Sequence, residues 1–136
     1  MTSYLLDTNI ISAVIRKEVP AEQALRRAVS REDTILLSAI IFYEVKRGLL
    51  KRDAKKQMDA LEHLVGQFAW CDVAHDDWEQ AAQLWAEREK AGRPIEDADV
   101  LIAAQAKHLG AILVTDNEKD FEGLGVKVEN WRKRKE

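Results

Sequence analysis

The chain has 136 residues, enough for one domain with a buried core, and its 46% hydrophobic and 33% charged residues describe a folded, well-charged protein rather than a disordered one. A net charge of −3 excludes a protein that coats nucleic acid by bulk electrostatics and leaves only local contacts. The longest nearly apolar run, residues 35–43, contains Ser38 and is too short to cross a bilayer; the start MTSYLLD lacks the pattern of a secretory leader; and the one cysteine, Cys71, has no internal partner. Together these predict a cytoplasmic protein without membrane association.

In chain order, residues 3–6 suit a buried strand that ends abruptly in Asp7-Thr8-Asn9, where Thr8 or Asn9 can cap a short helix over roughly 9–16. Pro20 suits the first turn of a second helix, with Ala24, Leu25, Ala28 and Val29 on its apolar face. Ile35-Leu36-Leu37 is a second strand, and from Ser38 to about Leu50 the pattern is helical. Asp53 can cap a helix in which Met58, Leu61 and Val65 face inward, and residues 68–73 form a third strand. Asp76 and Asp77 start an amphipathic helix whose Trp78, Ala81, Ala82 and Trp85 recur at core spacing. A further helix over 97–109 is closed by Gly110; Ala111 to Val114 is a fourth strand and Val126 to Val128 a fifth. Short apolar strands alternating with helices, with no repeat and no linker, predict a single α/β domain over 1–136 with a mainly parallel sheet covered on both faces. Sites in such folds gather beyond the carboxyl ends of the strands, where Asp7 lies.

Four acidic positions stand out. Asp7 ends the first strand. Glu44 is the one carboxylate in an apolar helix start, beside Ile40, Ile41 and Gly48; it reads either as a site residue or as an exposed glutamate on a half-buried helix. Asp99 heads the stripe Ile102, Ala103, Ala106 that must pack on the sheet, where an unpaired charge is costly and a cation would compensate it; its neighbour Asp97 can serve as the helix N-cap. Thr115-Asp116-Asn117 repeats, at the end of the fourth strand, the acid-and-amide pattern of the first, and Asp120 further on reads as structural or exposed. Brought into one crevice, such carboxylates repel each other without a cation, and an oxygen-rich donor set selects Mg²⁺ or Mn²⁺. A metal-activated water beside substrate phosphate oxygens is the equipment of phosphodiester hydrolysis. Competing chemistry lacks its parts: no glycine-rich phosphate loop is present, and His63, His75 and His108 lie on separate segments without ligand spacing. Cys71 sits in a strand-like setting that suits the core. A receiver-type phosphoacceptor would need an acidic pair or Asp-x-Asp after the first strand, which Asp7-Thr8-Asn9 does not offer.

The ordered set LLDTNIIS, SAIIFYEVKRGL and PIEDADVLIAAQAKHLGAILVTDNEKDF followed by VKVENW resembles the PIN-domain family, and within it the VapC-type toxins of bacterial toxin–antitoxin pairs. The resemblance spans nearly the whole chain. It implies a three-layer α/β/α fold and a Mg²⁺- or Mn²⁺-dependent endoribonuclease. Asp7, Glu44 and Asp99 match the family's metal-binding acids, Asp97 is a lesser neighbour, and the fourth position falls at Asn117 or Asp116. Thr8 and Ser38 would be supporting polar residues. The resemblance also implies a homodimer and a VapB-type antitoxin that covers the groove and carries the complex to its operator DNA. Lys46, Arg47, Lys51 and Arg52, which follow Glu44, are candidate contacts to an RNA backbone; the terminal run Arg132 to Lys135 reads as a solvated tail. The class-different alternative is a non-catalytic PIN-like module acting through protein contacts.

Overall fold

Five short apolar segments pair edge to edge in the computed structural model, which describes residues 1–133. They are β1 (Ser3–Leu6), β2 (Thr34–Ser38), β3 (Ala69–Cys71), β4 (Ile112–Val114) and β5 (Val128–Glu129), arranged in the order β3-β2-β1-β4-β5 with every pairing parallel. Parallel neighbours need crossovers, and six helices supply them: α1 (Thr8–Ile15), α2 (Val19–Ser30), α3 (Ala39–Lys51), α4 (Lys55–Gln67), α5 (His75–Lys90) and α6 (Asp97–Leu109). Because such crossovers are right-handed, the steps β1 to β2 to β3 place α1–α4 on one face, and the return from β3 to β4 places α5 and α6 on the other. The result is the expected three-layer α/β/α architecture. Among the described residues no helix is long and apolar enough to cross a membrane.

β1 is the central strand. Tyr4 pairs with Ile35 on one side and Ile112 on the other, and Leu6 pairs with Val114. Leu5, Leu6, Ile10, Ile11, Leu37, Ile41, Ile102 and Leu113 are fully or almost fully removed from solvent, each worth about 1.5–3 kcal/mol of transfer free energy against an extended chain. The stripe Ile102, Ala103, Ala106 of α6 is buried as its spacing predicts, and Gly110 closes that helix in the left-handed conformation at φ +62°.

Several expectations need correction. The N-cap of α1 is Asp7 itself rather than Thr8 or Asn9. Asp53 caps nothing: it takes a left-handed turn at φ +51°, and Ala54 holds the N-cap position of α4. Glu96, not Asp97, is the N-cap of α6, and neither makes a side-chain cap bond. In α2 the inward residues include Ala21 and Ala28, while Val29 faces solvent. The largest departure is α5, where Trp78 and Trp85 are exposed and the buried face is Asp77, Ala81, Leu84 and Arg88. Its polar members are paired: Asp77 accepts from the Ala74 N–H at 2.8 Å and meets His108 Nδ1 of α6 at 2.9 Å, and Arg88 donates to backbone carbonyls. Hydrogen bonding satisfies Asp77 and offsets part of the penalty for Arg88, whose Nε has no partner among the described residues. The tail expectation also changes, since Arg132 bonds Glu18 and Asp116, both at 3.1 Å, and Lys133 reaches Glu118 at 2.6 Å. Arg134 and Lys135 lie outside the described residues.

Candidate active site

The register of β1 against β4 builds the centre of the site. With Leu6 beside Val114, the next residues out of the sheet, Asp7 and Thr115, become neighbours, and Asp7 N–H donates to the Val114 carbonyl at 2.9 Å. The Asp7 carboxylate accepts from Thr115 Oγ1 at 2.8 Å, from Thr8 N–H at 2.7 Å and weakly from Asn9 Nδ2 at 3.4 Å. Thr8 Oγ1, one residue into α1, donates to Glu44 of α3 at 2.9 Å, so one threonine ties two acids of different elements together. Burial pushes the Asp7 carboxyl above its ordinary value, and the charges of Glu44 and Asp120 add to that push, while the Thr115 and Thr8 hydrogen bonds oppose it.

Asp7 stands in the wall of an open cleft of about 650 Å³ that Glu44, Glu96, Asp99, Asn117 and Asp120 also line. Asp99, at the start of α6, is pushed up to about 7, first by burial and then by the charges of Asp7, Glu96, Asp120 and Glu44. Burial leads both shifts, and the charges of Glu44 and Asp120 add to each, as expected of carboxyls that share a partly desolvated cleft. All these donors are hard oxygens, the set that suits Mg²⁺ or Mn²⁺. Among the described residues no three His, Cys, Asp or Glu side chains converge enough to cage an ion alone.

The structure therefore brings together Asp7, Glu44, Asp99 and Asn117, with Thr8 beside them. It does not bring in Asp116, which is exposed and engaged by Asn130 Nδ2 at 2.9 Å and Arg132 at 3.1 Å. Asp97 is exposed outside the lining. Ser38 is fully buried behind the site, donating to Gln105 at 2.6 Å and accepting from Ile40 N–H at 3.2 Å, which caps α3. Lys46, Arg47, Lys51 and Arg52 do not line the cleft; Lys46 pairs with Glu62 at 3.0 Å, and Arg47 lies 3.9 Å from Glu44 and 5.0 Å above the Tyr43 ring.

Among the charged lining residues, Glu96, Arg88, Arg93 and Lys119 escaped the sequence reading, and Asp120, expected to be structural or exposed, is exposed and lines the cleft. Asp120 had a signal. Phe121 next to it is an isolated aromatic in a polar loop and is buried, anchoring the 3₁₀ turn Glu118–Phe121 that sets Asp120 at the cleft. Thr115 was visible only as part of a repeated tripeptide, and nothing local announces its bond to Asp7.

Comparison with known proteins follows this geometry. A PIN domain profile matches residues 4–127. Ribonuclease VapC2 of Rickettsia felis is 30% identical over 132 residues, covering 96% of this chain and 98% of its own. A tRNA(fMet)-specific endonuclease VapC of Shigella flexneri is 28% identical over 133 residues, covering 96% of this chain and 99% of its own. Among solved structures, the R. felis VapBC2 complex bound to a promoter DNA fragment superposes with a TM-score of 0.86 at 27% identity, covering 96% of this chain and 99% of the other. With the sheet order, the strand-end aspartate and the acid-lined cleft on the same chain, this protein belongs to the PIN domain family, in its VapC group.

Proposed function

We propose that this chain is a single-domain, Mg²⁺- or Mn²⁺-dependent endoribonuclease, the toxin of a VapBC-type pair, which hydrolyses RNA phosphodiester bonds at the cleft between the ends of β1 and β4. The observation that carries the proposal is that Asp7, Glu44, Asp99 and Asp120 line one cleft, with Asp7 and Asp99 both pushed upward, first by burial and then by acidic neighbours. A non-catalytic module has no use for a cluster that destabilises its own fold. Asp7, Asp99 and Glu44 would hold the cation, with Asn117 or Asp120 reaching it through water. When bound, such an ion supplies an activated water and neutralises charge developing on the phosphodiester. The protein's own part is positioning. Thr115 and Thr8 fix the two Asp7 oxygens, Thr8 also fixes Glu44, and the rigid end of β1 carries the assembly.

The ribonuclease and endonuclease names of the VapC relatives support RNA as the substrate, and the VapBC complexes among the structural neighbours support a VapB-type antitoxin, a homodimer and operator DNA bound through that complex. An RNA substrate agrees with a cytoplasmic setting.

The test is incubation of the full chain with total RNA in Mg²⁺, in Mn²⁺ and in EDTA, followed by sequencing of newly formed 5′ ends. Discrete cation-dependent ends with wild type and none with Asp7→Asn are expected. Identical profiles for the two proteins would overturn the nuclease reading and leave the protein-interaction module.

A further inference from the structure

Three cations, Arg88, Arg93 and Lys119, line the same cleft as the acids. Arg93 lies in the loop between α5 and α6, Lys119 in the 3₁₀ turn after β4, and both are exposed lining residues. Among the described residues neither forms an ion pair. Arg88 stands behind them. It is 9% exposed, lines the same cleft, and its Nε has no hydrogen-bond partner among the described residues. Its other guanidinium nitrogens donate to the carbonyls of Arg93, at 3.3 Å, and of Asp120, the residue after Lys119. The Arg93 N–H returns a bond to the Arg88 carbonyl at 2.9 Å. One buried guanidinium thus fastens the two separate backbone segments that carry the free cations.

Burying an arginine without a carboxylate partner is expensive, since its hydrogen bonds go only to carbonyl dipoles. A phosphate bound in the cleft would supply a counter-charge. We infer that Arg93 and Lys119, held in place by Arg88, form the seat for an RNA backbone phosphate next to the carboxylates, so that the strand crosses the cleft toward the α5–α6 loop and not along α3. This rests on the ribonuclease reading and adds the direction from which substrate is held. The basic residues of α3 make poor rivals, because Lys46 is committed to Glu62 and Arg47 sits beside Glu44. Arg88 is a positioning residue; Arg93 and Lys119 make the contact.

The experiment uses a fluorescein-labelled, mixed-sequence single-stranded RNA, bound in Mg²⁺ on the Asp99→Asn background so that the probe stays intact, with anisotropy read over a series of salt concentrations. Arg93→Ala and Lys119→Ala, both at exposed positions, are each expected to weaken Kd about threefold to tenfold and to reduce the salt slope by about 0.7, the value for one contact to a single strand. Arg88→Met, checked for a folded thermal transition, is expected to lose the slope of both contacts together, which a merely structural defect would not do. Lys51→Ala/Arg52→Ala is expected to leave the slope unchanged. If Arg93→Ala and Lys119→Ala bind like their parent while wild type still cleaves RNA, the phosphate seat is refuted and the nuclease reading stands. Failure of wild type to cleave any RNA would overturn both.

Discussion

Two strand ends that look alike in the sequence behave differently in the fold. Asp7-Thr8-Asn9 follows β1 and Thr115-Asp116-Asn117 follows β4, each an acid, an amide and a threonine after an apolar run. The strands lie side by side with Leu6 opposite Val114, so the residue equivalent to Asp7 is Thr115 rather than Asp116. Successive side chains of extended backbone point to opposite sides, and a displacement of one position reverses what faces inward. Asp7 and Thr115 are buried and bonded to each other, whereas Asp116 is exposed and paired with Arg132. The two ends are complementary halves of one device, a carboxylate on one strand and the hydroxyl that orients it on the other. Asn9 and Asn117 complete the lock, with Asn9 accepting from the Asp116 N–H and Asn117 N–H donating to Thr115, both at 3.0 Å.

This comparison breaks most visibly through a matched pair of substitutions. Asp7→Asn should lower the RNA cleavage rate by more than about 100-fold, beyond the range typical of an outer-shell partner, whereas Asp116→Asn should change it by less than about fivefold, the equivalent of one surface ion pair. Equal losses at the two aspartates, measured on the same RNA, would mean that the exposed acid serves the chemistry after all. Next in size is Thr115→Val, which keeps the shape but removes the hydroxyl. It should reduce cleavage by about tenfold to 100-fold and cost about 1–2 kcal/mol in urea unfolding, because Asp7 loses a donor and the Asn117 N–H an acceptor. A variant with wild-type activity would show that Asp7 needs no orientation from β4.

The smallest effect concerns stability without cations. In the fold Asp99 keeps its proton up to about pH 7, whereas the unfolded chain loses it near 3.8. Between those values the folded state binds more protons, so stability falls as pH rises from about 4 to 7 and levels off above. Asp99→Asn should remove that residue's share of the decline, leaving the smaller share of Asp7, and, in EDTA at pH 8, melt a few degrees above wild type, a gain of about 1–2 kcal/mol after allowance for the residue's partial exposure. Mg²⁺ should raise the Tm of wild type and leave the variant less affected. A variant less stable than wild type in EDTA would show that Asp99 is not strained by its acidic neighbours.

Much of this was legible from residue patterns. The apolar strands, the α6 stripe beneath Asp99 and the isolation of Glu44 in an apolar helix start all follow from the need to bury one face, and they point to three acids that line one cleft. What escaped depends on partners distant in sequence. On α5 the spacing of Trp78 and Trp85 suggests an inward face, yet Asp77 and Arg88 take it because His108, 31 residues on, and the carbonyl of Asp120, 32 residues on, are there to receive them. No local periodicity encodes such pairings. The same holds for the cations of the cleft, whose two segments are joined by Arg88 through bonds to the carbonyls of Arg93 and Asp120 that no local pattern announces. The repeated tripeptide misled for a third reason: composition reveals a strand end but not the register that decides which of its residues turns inward.

The central position of β1 also sets when the site can exist. Its neighbours are β2, which follows within 28 residues of Leu6, and β4, which begins at Ile112. The contact between Asp7 and Thr115 spans 108 residues, among the most costly closures of chain entropy in the molecule. During vector-wise synthesis the first strand waits beside β2 with one edge open until the last quarter of the chain emerges. Asp7 then gains its orienting hydroxyl, and Asp120 and Lys119 arrive a few residues later. A chain that stops short of β4 carries Asp7, Glu44 and Asp99 but lacks Thr115, Asn117 and Asp120, so the hydroxyl that orients Asp7 is among the last parts of the cleft to arrive.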